Sequence, residues 1–184
     1  PMVTATRPGP PRRRAGRRAP VLTPVSARGF DPQGAQGGDS SQENSDLAGY
    51  AIDKDLQTAW QTQYYLGNPV FGGLKTGSGL ILDMGRQIRL GSATVTFGPA
   101  FGADVAIEVG NHATLAVSAM SAFRTVATAD SIDGTHYFRA TRPGTGRYVL
   151  IWFTRLPPIG LGKFQAQIFN VIIRGTAVMK QERT

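Results

Sequence analysis

Residues that could do chemistry cluster in the decapeptide AIDKDLQTAW, residues 51–60. Asp53, Asp55 and Thr58 can direct oxygens into one tight loop, and backbone carbonyls can complete the roughly six to eight oxygen ligands that Ca²⁺ prefers. The alternative is an Asx turn, in which each aspartate accepts hydrogen bonds from its own loop amides and holds no metal. Trp60 is typical of a core residue whose indole N–H donates to the backbone.

A second candidate site follows directly in the segment QTQYYLGNPVFGGLKTGSG, residues 61–79. A loop of this length in a compact domain is usually functional, and aromatic faces beside amide and ammonium donors suit sugars, peptides or a protein partner. The alternative is that the aromatic rings fold back and close one end of the domain. The residues predicted to bind a ligand are Tyr64, Tyr65, Asn68, Phe71 and Lys75.

Residues for catalysis are few. The chain contains no cysteine and only two histidines, which excludes thiolate metal sites and a cysteine nucleophile. Asp83 and Glu108 could form the acid and base of a glycosidase, but nothing in the sequence fixes their separation. Asp83, between apolar residues and just before Gly85, is more typical of a hydrogen bond at a strand end. The sequence therefore favours a protein that is not an enzyme.

The elements that must position these residues are strands. Short runs rich in Val, Ile, Thr and aromatic residues alternate with Gly, Pro, Asn and Asp, and only residues 46–51 have a helical pattern, with Ser45 as a candidate N-cap. This pattern predicts an all-β fold, an antiparallel β-sandwich or jelly roll. The predicted strands are 25–30, 80–84, 88–97, 105–109, 123–127, 136–140, 148–154 and 168–174.

Composition divides the chain into three parts. Six arginines supply most of the formal charge of +8 before Ala19, whereas from Ala19 onward 14 basic residues nearly balance 12 acidic ones. We predict a flexible Pro/Arg-rich linker over residues 1–20, a folded domain over 21–176 and a tail over 177–184. The run RRRAGRR in this linker could bind nucleic acid or anionic lipid. Short basic runs match by chance so often that a solvated linker is the favoured interpretation, and no nucleic-acid partner is expected. No window reaches the roughly 18 apolar residues of a membrane span.

The decapeptide also matches a known signature. AIDKDLQTAW resembles the A-x-D-G-D-x-x-T-x-W motif of discoidin, or coagulation factor 5/8 type C (F5/8 type C), domains, and GLILDMGRQIRLGSATVTF and VIIRG are similar to later strands of that family. This resemblance implies a galactose-binding-like jelly roll, with Asp53, Asp55 and Thr58 as the calcium ligands. Two residues depart from the pattern. Lys54 replaces the motif's glycine, and Asn170 stands where the family often has an acid.

A narrower resemblance rests on the pieces FDPQG, QENSDLAGYAID, TAWQTQYY and LKTGSGLILDMG. They are similar to the C-terminal extracytoplasmic domain of actinobacterial MviN/MurJ-type lipid II flippases. This resemblance implies a binding module on the extracytoplasmic face of the cell membrane, tethered through the rest of its parent protein, in peptidoglycan biogenesis. The expected partner is a cell-wall glycan, a lipid-linked precursor or a partner protein. The alternative is a purely structural docking domain.

Overall fold

The computed structural model describes residues 18–36, 42–114 and 117–179, and its sheets are antiparallel throughout. Two layers of strands pack face to face, which is the arrangement of a β-sandwich. The strands in the described part are β1 (Val21–Leu22), β2 (Ser26–Phe30), β3 (Trp60–Gln61), β4 (Tyr65–Leu66), β5 (Ser78–Phe97), β6 (Ala103–Gly110), β7 (Arg124–Ile132), β8 (Thr135–Arg139), β9 (Thr145–Arg155), β10 (Pro158–Gly160), β11 (Lys163–Phe164) and β12 (Gln167–Ala177).

The long strand β5 belongs to both layers. Its first half pairs with β2 and β9, and the larger layer continues from β9 to β6 and β7. Its second half pairs with β12 and β8 in the smaller layer, where β1 and β3 also pair with β12. The β5–β9 register breaks between Asp83 and Ile88, next to Gly85 with a φ of 68°. The sequence pattern predicted two strands here, and the structure joins them through this irregularity.

The core lies between the two layers and follows the alternation of the strands. Leu80 and Leu82 of β5, Ile107 of β6, and Ile151 and Phe153 of β9 are all fully buried. On the smaller layer, alternate residues of β5 and β12 face the same core. The alternation of apolar and polar residues that predicted these strands therefore arises because one face of each strand packs on the core.

The larger layer also buries part of its outer face. Phe30, Ile81, Leu150 and Trp152 form a second apolar cluster, against which the partly buried Met120 and Phe123 pack. Phe30 and Phe123 lie with ring centroids 5.7 Å apart. Because both faces are covered here, the β9 run VLIWF is apolar without alternation.

The helical elements are short. In the described ranges they are α1 (Pro32–Gln36) and three 3₁₀ helices, Ser45–Ala51, Phe71–Gly73 and Val117–Ala122. The predicted helical turn before the decapeptide is present, but Asn44 rather than Ser45 is its N-cap residue, and it makes no side-chain capping bond. The Ser45 hydroxyl instead accepts a hydrogen bond from the Gly29 amide at 2.9 Å, which ties the turn to β2.

Most of the predicted linker, residues 1–17, and residues 180–184 of the predicted tail lie outside the described residues. The Pro20 carbonyl accepts a hydrogen bond from Gly175 at 3.1 Å, and the Val178 amide donates to Gln87 at 2.9 Å. The described chain therefore enters and leaves beside β12 and β5. No helix in the described ranges has the length and apolar character of a membrane span.

Candidate functional site

The aspartates of the decapeptide brace their own loop. Asp53 Oδ1 accepts from the Asp55 amide at 2.8 Å, and Asp55 Oδ1 accepts from the Gln57 amide at 2.9 Å. The Thr58 hydroxyl donates to Asp53 Oδ2 at 2.8 Å and lies 3.1 Å from the Asp55 carbonyl oxygen. These are the bonds of consecutive Asx turns, so the loop holds its shape through its own groups.

The surroundings of this loop fit a cation poorly. Lys54 has a φ of 68°, in the left-handed region that the motif's glycine would adopt without strain. Asn170, which stands where the family often has an acid, lines a cavity of about 350 Å³ that includes Lys54 but none of Asp53, Asp55 and Thr58. No group of three or more His, Cys, Asp or Glu residues able to hold a metal ion occurs in the described ranges. Calcium binding by Asp53, Asp55 and Thr58 stays a prediction from the sequence.

Trp60 connects the decapeptide to a buried carboxylate. The indole is fully buried, and its N–H donates to the Glu43 carbonyl at 2.8 Å, as the sequence predicted for a core tryptophan. The Glu43 carboxylate is also fully buried, and its Oε2 accepts from the Gln63 amide at 2.7 Å. One residue therefore holds both Trp60 and the chain that leads into the aromatic loop.

A buried charged cluster lies beneath that loop. The Lys75 ammonium donates to the carboxylates of Asp31 and Glu43, and the Tyr65 hydroxyl donates to Glu43. Asp31 also accepts from the Gly34 amide at 2.9 Å, at the start of α1. Both carboxylates are fully buried, so the lysine and these hydrogen bonds replace the water that the charges lost.

The five residues predicted to bind a ligand do not share one surface. Phe71 is 0% exposed and Lys75 is 8% exposed, and the Lys75 ammonium lies 5.6 Å from the centre of the Phe71 ring. The Tyr65 ring packs edge-on against Phe71, with centroids 5.2 Å apart. Asn68 is exposed, and its side chain accepts from the Val70 amide at 2.8 Å. Phe71 and Lys75 therefore support the loop from below.

Tyr64 is the ring of this loop that faces solvent. It is 57% exposed, and the Lys163 ammonium lies 4.9 Å from its ring centre. Tyr64 borders a groove of about 700 Å³, whose remaining lining combines amide side chains with apolar groups. The other lining residues are Asn44, Gln61, Gln63, Tyr65, Leu66, Gly72, Leu74 and Gln165.

Asp83 and Glu108 do not form an acid–base pair. Register places them on the same outer face with β9 between them, which separates them by roughly 10 Å or more. Arg147 donates to both oxygens of Asp83 at 2.8 and 2.7 Å, and this bonding holds the pKa of that carboxyl below its usual range. Burial raises the pKa of Glu108, although its bond from the Thr125 hydroxyl opposes the shift.

Comparison with solved structures gives the fold. A variant of chitosan-binding module 1 from a Paenibacillus sp. IK-5 chitosanase/glucanase superposes with a TM-score of 0.56 at 16% identity, covering 86% of this chain and 100% of that chain. The CBM32 of AlyQ, in complex with 4,5-unsaturated mannuronic acid, gives 0.50 at 15% identity, covering 83% and 96%. This chain has the fold of a CBM32 carbohydrate-binding module. The predicted galactose-binding-like β-sandwich is confirmed.

Some similar chains are enzymes of which this chain matches only a part. A Ruminococcus gnavus GH29 fucosidase in complex with fucose superposes with a TM-score of 0.53 at 15% identity, covering 83% of this chain but 25% of the enzyme. No family model and no curated protein matches the sequence. The likeness to the CBM32 modules is therefore one of backbone architecture.

The groove includes four residues that the sequence pattern did not predict as ligand-binding. Asn44, Gln61, Gln63 and Gln165 come from three separate segments, and the structure brings these residues to one surface. The side-chain amides of Asn44 and Gln165 also donate to the carbonyls of Gln61 and Thr62, at 3.1 and 2.7 Å, which holds the segments together. Gln61 and Gln63 alternate with the buried Thr62 directly after Trp60, which is the pattern of a half-buried extended segment. This alternation is a local signal that could have placed Gln61 and Gln63 on the same exposed face. Nothing local in the sequence connects Gln165 to this site.

Proposed function

We propose that this chain is a non-catalytic carbohydrate-binding module and that its ligand lies in the groove bordered by Tyr64. The observation that carries the proposal is the exposed Tyr64 ring beside a set of amide side chains in a groove of about 700 Å³. An aromatic ring offers an apolar face to the C–H groups of a sugar, and amides offer donors and acceptors to its hydroxyls. A few such polar groups on an otherwise preformed surface are typical of small-ligand sites.

The rigidity of the groove supports the proposal. Tyr65 contributes to the groove wall, and its hydroxyl is fixed by Glu43, which is itself held by Lys75. A preformed wall lowers the entropy cost of binding, since fewer side chains must be ordered when the ligand arrives. CBM32-fold structures solved with sugars, such as the AlyQ module with unsaturated mannuronic acid, are consistent with this use of the fold.

We further propose the extracytoplasmic face of the cell membrane as the setting and peptidoglycan biogenesis as the process. The support is the sequence resemblance to the external domain of MviN/MurJ-type proteins, which also implies tethering through a membrane region of the same polypeptide. The ligand class is then a cell-wall glycan or the glycan part of a lipid-linked precursor. This setting requires membrane-spanning segments elsewhere in the encoded protein. If the full-length gene encodes none, the proposed membrane setting is wrong.

The test of glycan binding uses Tyr64→Ala with Tyr50→Ala as the matched control, because Tyr50 is also exposed but does not line the groove. Binding of the chain to purified peptidoglycan and to soluble muropeptides is measured by co-sedimentation and calorimetry. Loss of the ring contact should weaken binding roughly tenfold, which corresponds to about 1.4 kcal/mol. Tyr50→Ala should bind normally, and both variants should melt close to the parent chain.

Two results would contradict the proposal. One is equal binding by the parent chain and Tyr64→Ala. The other is no binding to any wall glycan together with specific capture of a single wall-synthesis protein, which would favour a docking domain.

A further inference from the structure

The outer face of the smaller layer carries a cluster of arginines away from the Tyr64 groove. Ser92 of β5 pairs with Arg139 of β8 on one side and with Arg174 of β12 on the other. The neighbouring Ala93 pairs with Phe138 and Ile173 and faces the core, so the Ser92 row faces outward. Strands are spaced by about 4.8 Å, which places the two arginine backbones roughly 10 Å apart. One small anion between them can reach both guanidinium groups.

The next row of the same face adds an aromatic ring and a hydroxyl. Thr94 pairs with Tyr137 on β8 and with Ile172 on β12, and Tyr137 is 60% exposed. Arg18 enters from the N-terminal side and borders the same groove, which measures about 520 Å³. Among the described residues, the lining of the groove therefore combines three arginines, one exposed tyrosine and the hydroxyl-bearing Ser92 and Thr94, and contains no acidic residue.

The arginines of this face lack carboxylate partners in the described ranges. The three salt bridges found there join Lys75 to Asp31, Lys75 to Glu43, and Arg147 to Asp83. One donor of Arg174 is used by the Ala19 carbonyl at 3.0 Å, which fixes the side chain at the groove edge. Three like charges around one groove repel each other in the free protein, and a bound anion would relieve that repulsion.

We propose that this groove is a second binding site and that it takes an acidic glycan, a sugar bearing a carboxylate or phosphate. Arginine matches the planar or tetrahedral oxyanion through paired N–H donors, and Tyr137 offers a face to the sugar ring. A single exposed ring and one compact group of arginines suit a charged sugar better than a single-stranded nucleic acid, which needs a track of cations and several stacking rings. The site is separate from the Tyr64 groove, since no residue in the described part of the chain lines both.

The test measures binding of the full chain to oligogalacturonate, which carries carboxylates, and to a phosphorylated mannan, with neutral mannan as the uncharged control. Arg139→Gln and Arg174→Gln should each weaken binding of an acidic glycan at least fivefold, and the pair together more than twentyfold. Arg124→Gln is the matched control, because it removes an exposed arginine from the other layer without changing this groove. Tyr137→Ala should weaken binding to the glycans but not to inorganic phosphate.

Tighter binding of oligogalacturonate would identify the preferred acidic group as a carboxylate, and tighter binding of the phosphorylated mannan would identify it as a phosphate. Either result supports the proposal. Tyr64→Ala should leave acidic-glycan binding unchanged, so failure of the Tyr64 site and failure of this site are separable. Three results would overturn the inference: no binding to either acidic glycan, an equal loss with Arg124→Gln, or equal losses toward single-stranded DNA. Either of the last two results would mean that the arginines act only through the net charge of the protein and do not form a specific site.

Discussion

Replacement of Lys75 by methionine tests the buried cluster that supports the Tyr64 groove. The substitution keeps most of the side-chain volume and removes the ammonium that Asp31 and Glu43 share. Both carboxylates are fully buried, so water cannot take the place of the lost charge without opening the loop. We therefore expect a large loss of stability from a change that leaves almost no cavity.

The magnitude follows from the partners that stay in place. Breaking a buried ion pair by removing one partner costs about 3 to 5 kcal/mol, because the other charge is left uncompensated. Here Asp31 keeps its bond from the Gly34 amide, and Glu43 keeps bonds from the Gln63 amide and the Tyr65 hydroxyl. These bonds moderate the penalty, so we expect a loss of about 3 kcal/mol. For a domain of this size that corresponds to a fall in Tm of roughly 6 to 12 °C.

A double-mutant cycle separates the charge interaction from packing. Lys75→Met, Glu43→Gln and the double variant are compared with the parent chain by urea unfolding, with the free energy extrapolated to water. Glutamine keeps an acceptor for the Gln63 amide and removes the charge, so the double variant should be more stable than the sum of the single losses predicts. We expect a coupling energy of about 2 kcal/mol. Lys163→Met is the control, since that lysine also lies over a tyrosine ring but at the surface, and it should lose less than about 1 kcal/mol.

Additive losses in the cycle would refute this reasoning, as would a loss below about 1 kcal/mol for Lys75→Met. Either result would mean that the carboxylates are stabilised by their hydrogen bonds alone and that Lys75 contributes packing.

Two further predictions concern protonation and metal. Burial raises the pKa of Glu108, so the folded protein binds this proton more tightly than the unfolded chain, and stability falls as pH rises from about 4 toward the folded pKa. Glu108→Gln should therefore gain Tm relative to the parent chain at pH 7 but not at pH 4, and a pH-independent difference would contradict this. For calcium, binding to the native state would raise the Tm by mass action. Because the hydrogen bonds within the loop occupy Asp53 and Asp55, we expect less than about 1 °C from millimolar Ca²⁺. A larger rise in Tm that EDTA reverses would contradict this expectation and would show that the loop binds calcium.

The strands were predictable because each carries a local signal. The second half of β5 alternates between core and surface, and the buried run of β9 is flanked by turn residues. The connection through Gly85 was not predictable, because a glycine with positive φ closes a turn in one fold and marks a bulge in another. Only the pairing of β5 with partners in both layers shows which of the two occurs.

The site was only partly predictable because the burial of its residues depends on distant partners. Lys75 has the sequence context of a flexible, glycine-rich loop, and it is buried because Asp31 and Glu43 reach it from 44 and 32 positions away in the chain. Tyr64 and Tyr65 are adjacent and chemically identical, yet one faces solvent and the other is held by Glu43. Alternation along an extended segment predicts that one of the two is exposed, but it cannot say which.

The charge distribution explains how a nearly neutral folded domain can present a basic face. The described carboxylates are largely used by specific partners: Glu43 by Lys75, Asp83 by Arg147, and Asp53 by the amide and hydroxyl of its own loop. Acids that are buried or bonded in this way do little to neutralise arginines on another surface, since salt screens exposed charges beyond about 8 to 10 Å. The net charge of the folded part is therefore a poor guide to its binding surfaces. The outer face of the smaller layer carries Arg139 and Arg174, and no acidic residue among those that the structure describes lines the groove between them. The proposed attraction of this face for anions rests on that local excess of positive charge.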